Sequence, residues 1–185
     1  MNAQDNDAGR QTDNTGDDDP GSTRTGRATV ALTDDTGRLE DATELARLVQ
    51  AAIDHLSLTG ELRVKVIDDE AMASAHLEYL DTPDTTDVIT FDLSGGETEH
   101  TRALDADLLL CLDEARRQSD ARGHKQLHEL LLYAVHGVMH CLGHDDHDDE
   151  SFERMHATED ELLTAIGIGA VFARDEQTPP SENAS

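Results

Sequence analysis

The run His136-Gly137-Val138-Met139-His140-Cys141-Leu142-Gly143-His144-Asp145-Asp146-His147 sets the terms for everything around it. Residues four apart on a helix sit about 40° apart around its axis, so His136 and His140 project from one face, and their ring nitrogens can converge on one ion. Gly143 can adopt the left-handed conformation that ends a helix and turns the chain back. A third donor then approaches the same ion from the loop. The candidates are Asp146, ten residues after His136, and His147, one residue later. Imidazole and carboxylate both suit zinc, and three protein ligands with one open position describe a catalytic site. A pair of helix histidines alone is more often structural; the glycine stop and the third donor reverse those odds.

The wider chain is consistent with such a site. Seven of the ten histidines lie between His124 and His156. In peptidases with a His-Glu-x-x-His helix, the Glu after the first His acts as general base. Here that position is Gly137, which disfavours a peptidase. A loop carboxylate such as Asp145 could serve a hydrolysis needing less proton management, such as phosphodiester cleavage. His136 and Asp145 are thus the candidate catalytic residues, and His136, His140 and Asp146 or His147 the candidate metal ligands. Cys141 reads as a small core residue, since adjacent helix positions point about 100° apart. His144, Asp148 and Asp149 are either groups that orient the ligands or charges at a helix start. His124 and His128 receive no role.

Working outward, apolar periodicity predicts a strand over Ala28 to Thr33 and a helix carrying Leu45, Leu48, Val49, Ala52, Ile53 and Leu56. Leu62, Val64 and Val66 alternate with Arg63 and Lys65 as a half-buried strand. Asp68 and Asp69 can cap a short helix that buries Met72, Ala75 and Tyr79 or Leu80. Two β-like runs follow, Asp87 to Leu93 and Ala106 to Leu112, around a Gly-rich polar loop at Ser94 to His100. From about Asp113 the pattern is helical. Its strongest segment is Lys125 to Leu142, and a last helix carries Phe152, Met155, Glu159, Leu162, Leu163 and Ile166. These elements imply an α+β fold with a small mixed β-sheet packed against helices, and a metal site at the C-terminal end of a long helix.

Composition bounds the rest. The 185 residues fit one domain plus ends. Residues 1–26 hold six Asp and no Val, Ile, Leu, Phe or Tyr, and read as a disordered acidic tail. Residues 175–185 read likewise, leaving 27–174 as a single hydrolase domain. The net charge is −27, and tails of −4 and −3 leave −20 on that domain. Such a field repels nucleic acid and anionic membrane. With no Trp, two Tyr and three Phe, an aromatic stacking platform is not expected. The longest strongly apolar run, Leu108 to Leu112, is far short of the roughly 20 residues that cross a bilayer. Two cysteines and no signal segment imply reduced thiols and a cytoplasmic location.

Taken together, the motifs resemble those of the YbeY family of bacterial endoribonucleases, whose hallmark is His-Gly-x-x-His-x-x-Gly-x-Asp-His. His136, Gly137, His140, Gly143 and Asp145 match it position by position. Thr86-Asp87-Val88-Ile89-Thr90-Phe91 is similar to the family's second signature, Thr-Asp-Val-Leu-Ser-Phe, and Ala106-Asp107-Leu108 to a Gly-Asp-Ile-type strand. The family's third ligand, a His, aligns with Asp146, and this keeps the ten-residue spacing and favours Asp146 over His147. Where the family has an Asn and a Tyr-Arg pair, this chain has His76 and Tyr79-Leu80. The resemblance implies a zincin-like fold, one zinc ion per chain, and a single-strand-specific, metal-dependent endoribonuclease. It further implies late ribosomal RNA maturation at the small-subunit RNA 3′ end, ribosome quality control, and a ribosome or ribosomal-protein partner. Arg102, Arg116, Arg117, Arg122 and Lys125 would then form a basic patch for RNA. The rival readings are a zinc-dependent peptidase or other hydrolase, and a non-catalytic ribosome-associated binding protein.

Overall fold

Alternation of β-branched and polar residues becomes a four-stranded sheet in the computed structural model, which describes residues 26–171. The tails read from sequence, 1–26 and 175–185, lie outside the described residues except for Gly26. In chain order the elements are β1 (Thr29–Asp34), α1 (Ala42–His55), β2 (Thr59–Ile67), α2 (Asp69–Leu80), β3 (Val88–Asp92), α3 (Thr98–Thr101), β4 (Ala103–Cys111), α4 (Leu112–Arg122), α5 (Gln126–Cys141) and α6 (Asp149–Ala165). The sheet order is β1-β2-β4-β3. β1 pairs parallel with β2 and β2 parallel with β4, whereas β3 runs antiparallel to β4 as the edge strand. The small mixed sheet expected from the sequence is present.

The principal core forms where α1, α5 and α6 cover the sheet. Leu45, Leu48 and Ile53 of α1 meet Leu62, Val64, Leu104 and Leu108 of the strands and Leu130, Leu131 and Met139 of α5. A leucine side chain so buried stabilises the fold by about 1.5–3 kcal/mol over its exposed state. A smaller cluster of Ile67, Met72, Ile89 and Cys111 fills the space between the sheet and α2.

Three elements differ from the sequence expectation. α2 buries Met72, but Tyr79 and Leu80 are 56% and 54% exposed. The helix packs on β4 and α4, and its last turn lies outside that contact, where Tyr79 meets Phe91 edge-on at 4.9 Å. The Gly-rich loop contains the one-turn helix α3, whose buried Thr98 bonds Ser94 Oγ and the Ala103 carbonyl. The helical stretch from Asp113 splits into α4 and α5 at Gly123, which has φ of 71°.

The approach of α5 to the sheet is set by Gly137. A Cβ there would lie 2.6 Å from Thr90 Oγ1 and 2.7 Å from Leu108 Cδ2. The glycine lets the histidine-bearing helix settle onto β3 and β4. Gly137→Ala is expected to lower stability by about 1–2 kcal/mol in urea denaturation, because overpacking of about 1–3 kcal/mol exceeds the gain of roughly 1 kcal/mol in helix propensity.

The start of α4 is tied to the β1–α1 connection by a two-pronged pair, Arg38 Nη1 and Nη2 donating to Asp113 at 2.8 and 2.9 Å. The Arg38 guanidinium outweighs partial burial and holds the Asp113 carboxyl down at about 2. A folded value below the unfolded one means that the contribution is full above about pH 4 and fades as pH falls through 2. Asp113→Asn is therefore expected to cost about 1 kcal/mol at pH 7 and nothing resolvable at pH 2, measured by thermal melts at both values.

Candidate metal centre

The C-terminus of α5 ends in a double hydrogen-bonded turn. The Gly143 N–H donates to the His140 carbonyl and the His144 N–H to the Met139 carbonyl, each at 3.0 Å. Gly143 has φ of 84°, the left-handed geometry that this cap requires. The turn brings the His144 carbonyl beneath the His140 ring and swings Asp146 back over the helix face.

Three donors come together there. Ligand atoms of His136, His140 and Asp146 all lie within 4.8 Å of one another. His140 Nδ1 is 3.1 Å from the His144 carbonyl, an oxygen that only accepts, so this nitrogen carries the hydrogen. His136 Nδ1 is 2.8 Å from Oε1 of Glu159. Both rings consequently present Nε2 lone pairs to a common point, 3.1 Å apart. Asp146 carboxylate oxygens lie 3.6 Å from His136 Nε2 and 4.0 Å from His140 Nε2. Two lone pairs and a carboxylate at such spacing repel unless a cation lies among them. A tetrahedral zinc with bonds of about 2.0–2.1 Å would set its ligands roughly 3.3 Å apart, so the donor set suits such an ion.

Glu159 was legible only as part of the apolar stripe of the last helix. It is fully buried, and its oxygens are divided between His136 Nδ1 and His156 Nδ1, the latter at 2.6 Å. Burial alone would raise the Glu159 pKa; the two histidines outweigh burial and lower it. Reciprocally, burial disfavours a charged His136, and the Glu159 carboxylate more than compensates, raising its basicity. A carboxylate behind a ring in this way strengthens and aims it as a metal donor.

The other sequence candidates fall as follows. His147 is 83% exposed in its side chain, with Nδ1 3.9 Å from Asp146 and bonded closely to Asp145. The Asp145 carboxylate also accepts the Asp146 and His147 N–H groups, at 2.8 and 3.2 Å, so it organises the loop. Asp148 caps α6 in a reciprocal pair with Ser151, and His144 contributes its carbonyl to the site. Cys141 is buried, with its thiol pushed up to about 12 by burial. His124, given no role, donates to or accepts from the buried Glu129 at 2.6 Å, which Arg122 also binds at 2.9 Å.

The donors sit where two cavities meet. One of about 510 Å³ is lined by Gln118, Arg122, Tyr133 and Phe152; the other, about 710 Å³, by Leu80, Ile89, Thr90 and His140. Thr86, Asp87, His136 and Asp146 line both. Asp87 Oδ1 accepts from Thr86 Oγ1 and the Val88 N–H, each at 2.9 Å. The arginines expected to form a basic patch are dispersed among carboxylates. Arg117 pairs with Asp69 and Glu114, Arg116 with Asp120, and Arg122 with Glu129.

A mixed α/β domain with a histidine–aspartate cation site beside an edge strand is the class these features define. The family model described as "Endoribonuclease YbeY" matches residues 31–167. Curated relatives named "Endoribonuclease YbeY" include that of Mycobacterium ulcerans (strain Agy99), 32% identical over 143 residues, covering 72% of this chain and 80% of that protein. Another, from Thermobifida fusca (strain YX), is 30% identical over 142 residues, covering 72% and 91%. The solution structure of TM1509 from Thermotoga maritima superposes with a TM-score of 0.49 at 15% identity, covering 85% of this chain and 99% of that one. This chain belongs to the YbeY endoribonuclease family.

Because Glu159 touches His136 on the far side from the donor cluster, its loss should act on the metal and not on the fold's outline. Glu159→Gln is expected to weaken zinc binding about 10- to 100-fold in competition with a chelator, with the far-ultraviolet circular dichroism unchanged. An unaltered zinc affinity would refute the positioning role.

Proposed function

We propose that the chain is a zinc-dependent endoribonuclease acting on single-stranded RNA, with residues 27–174 as its hydrolase domain. The observation that carries this reading is the convergence of His136, His140 and Asp146 at the junction of two open cavities, in a chain of this family. His136, His140 and Asp146 would hold the ion, and Glu159 keeps the His136 ring aimed. A bound divalent cation would supply Lewis acidity at the scissile phosphate. Asp87, which lines both cavities, is the carboxylate available to take a proton from the attacking hydroxyl. Asp145, given a catalytic part on sequence grounds, serves by holding the loop that presents Asp146.

The biological setting we propose is the cytoplasm, with small-subunit ribosomal RNA as substrate at its 3′ end. Ribosome quality control and delivery by the ribosome or a ribosomal protein complete the reading. Delivery by a partner fits the charge of −27 and the neutralised arginines. No helix among the described residues is long and apolar enough to cross a membrane. A peptidase is disfavoured by Gly137, since the space where a Glu side chain would begin is occupied by Thr90 and Leu108.

Metal analysis of wild type, Asp146→Ala and His147→Ala, with cleavage of single-stranded RNA on the same samples, tests this reading. Wild type and His147→Ala are expected to carry about one zinc per chain and to cleave; Asp146→Ala should lose most of both. Metal lost from His147→Ala alone would replace Asp146 as ligand, and cleavage of peptide but not RNA would overturn the function.

The charge also makes a kinetic prediction. A nuclease that grips several phosphates with basic side chains loses affinity steeply with salt, by about 0.7 log units per log unit of salt for each single-strand phosphate neutralised. Here the dependence of log(kcat/KM) on log[salt] is expected to be shallower than about −1, because screening also relieves repulsion.

A further inference from the structure

The cavity on the α4 side of the donor cluster has a lining that the metal chemistry does not use. We propose that it is a subsite for one nucleobase, with Phe152 as the face on which the base stacks and Tyr133 as the group that reads its edge. The proposal rests on the endoribonuclease reading and adds to it the means by which an acidic protein holds its substrate.

Four observations support a base here instead of a phosphate. First, the wall carries Asp87, Glu114 and Asp146, and its one guanidinium, Arg122, is tied to the buried Glu129. An anion is disfavoured in such a pocket, whereas a neutral ring is not. Second, Phe152 is 40% exposed in a chain with only five Phe and Tyr residues and no Trp. Leaving a scarce large apolar ring in water at a cavity wall marks a contact surface. Stacking on such a ring tolerates any base, since every base has a π-face.

Third, that ring is held in place. Phe152 packs edge-on to His156 with centroids 4.2 Å apart. His156 is bonded to Glu159, and its ring lies parallel to that of His136 at 6.0 Å. One buried carboxylate therefore fixes both a metal ligand and the ring that supports the stacking face. A base on Phe152 would have its backbone phosphate directed to the donor cluster, because His136 and Asp146 form part of the same cavity lining. Fourth, Tyr133 is only 4% exposed, and its hydroxyl has no partner at hydrogen-bonding distance. A buried hydroxyl without a partner is costly, and the polar edge of a base in the cavity would satisfy it. The volume, about 510 Å³, lies in the range of small-ligand sites. The cavity on the other side of the donors offers Leu80 and Ile89 but no aromatic lining residue.

The test uses the zinc-loaded full chain and single-stranded RNAs in which one nucleotide at a time beside the cleaved bond is made abasic. For wild type, one abasic position is expected to raise KM about 5- to 100-fold, with kcat changed less than about twofold. Phe152→Ala should show that rise on intact RNA, keep its zinc, and lose nothing more at the abasic position; Phe152→Tyr should restore wild-type behaviour. Tyr133→Phe should retain stacking but reduce the preference among the four bases there. An abasic penalty that is equal in wild type and Phe152→Ala, or absent from both, would overturn the subsite while leaving the nuclease reading intact. If wild type cleaves no RNA, the nuclease reading fails. Quenching of a 2-aminopurine-labelled RNA on binding then decides the subsite: quenching lost in Phe152→Ala supports it, and no quenching overturns it. Phe152-dependent cleavage of peptides would assign the cavity to a peptide side chain and refute a base.

Discussion

A carboxylate removed from water persists in a fold only where donors surround it, and Glu159 is the point at which this chain meets that demand. Its two oxygens take one bond each from His136 on α5 and His156 on α6. The bonds lock the last helix to the one that carries the donor pair, and they fix the His136 tautomer so that Nε2 faces outward. On His140 the same task falls to a backbone carbonyl, supplied by the turn at Gly143. Two different supports, one ionic and one peptide, thus converge on a single geometric result. The loop carboxylate of Asp146 completes it.

The chain's acidity takes on a consistent meaning around that centre. A field strong enough to repel a polyanion also concentrates divalent cations near the surface. The dispersal of the arginines into pairs with Asp69, Glu114 and Glu129 leaves little free positive charge on the α4 side. Substrate recognition by ring stacking, by a metal-held phosphate and by a delivering partner fits such a surface better than a basic groove does.

Local chemistry was legible in the sequence; long-range pairing was not. The histidine spacing, the stop at Gly143 and the return of Asp146 follow from helix geometry and the conformational freedom of glycine within twelve residues. The mixed sheet followed from alternation in Val64, Val66, Leu108 and Leu110. Glu159 escaped notice because its partner lies 23 residues away and a glutamate on a helix is ordinary; its one signal was a place on the stripe with Met155 and Leu162. The supposed basic patch failed for a related reason, since Arg117 finds Asp69 from 48 residues off. Tyr79 and Leu80 have the right spacing for burial, but spacing does not reveal how far the covering surface extends.

X-ray absorption at the zinc edge of the loaded protein probes the donor set directly. Two imidazoles with only oxygen donors beside them, and no sulfur in the first coordination sphere, is the result this account predicts. A third imidazole would put His147 in place of Asp146, and a sulfur shell would bring Cys141 to the metal; either would contradict the arrangement of His136, His140 and Asp146 about one ion.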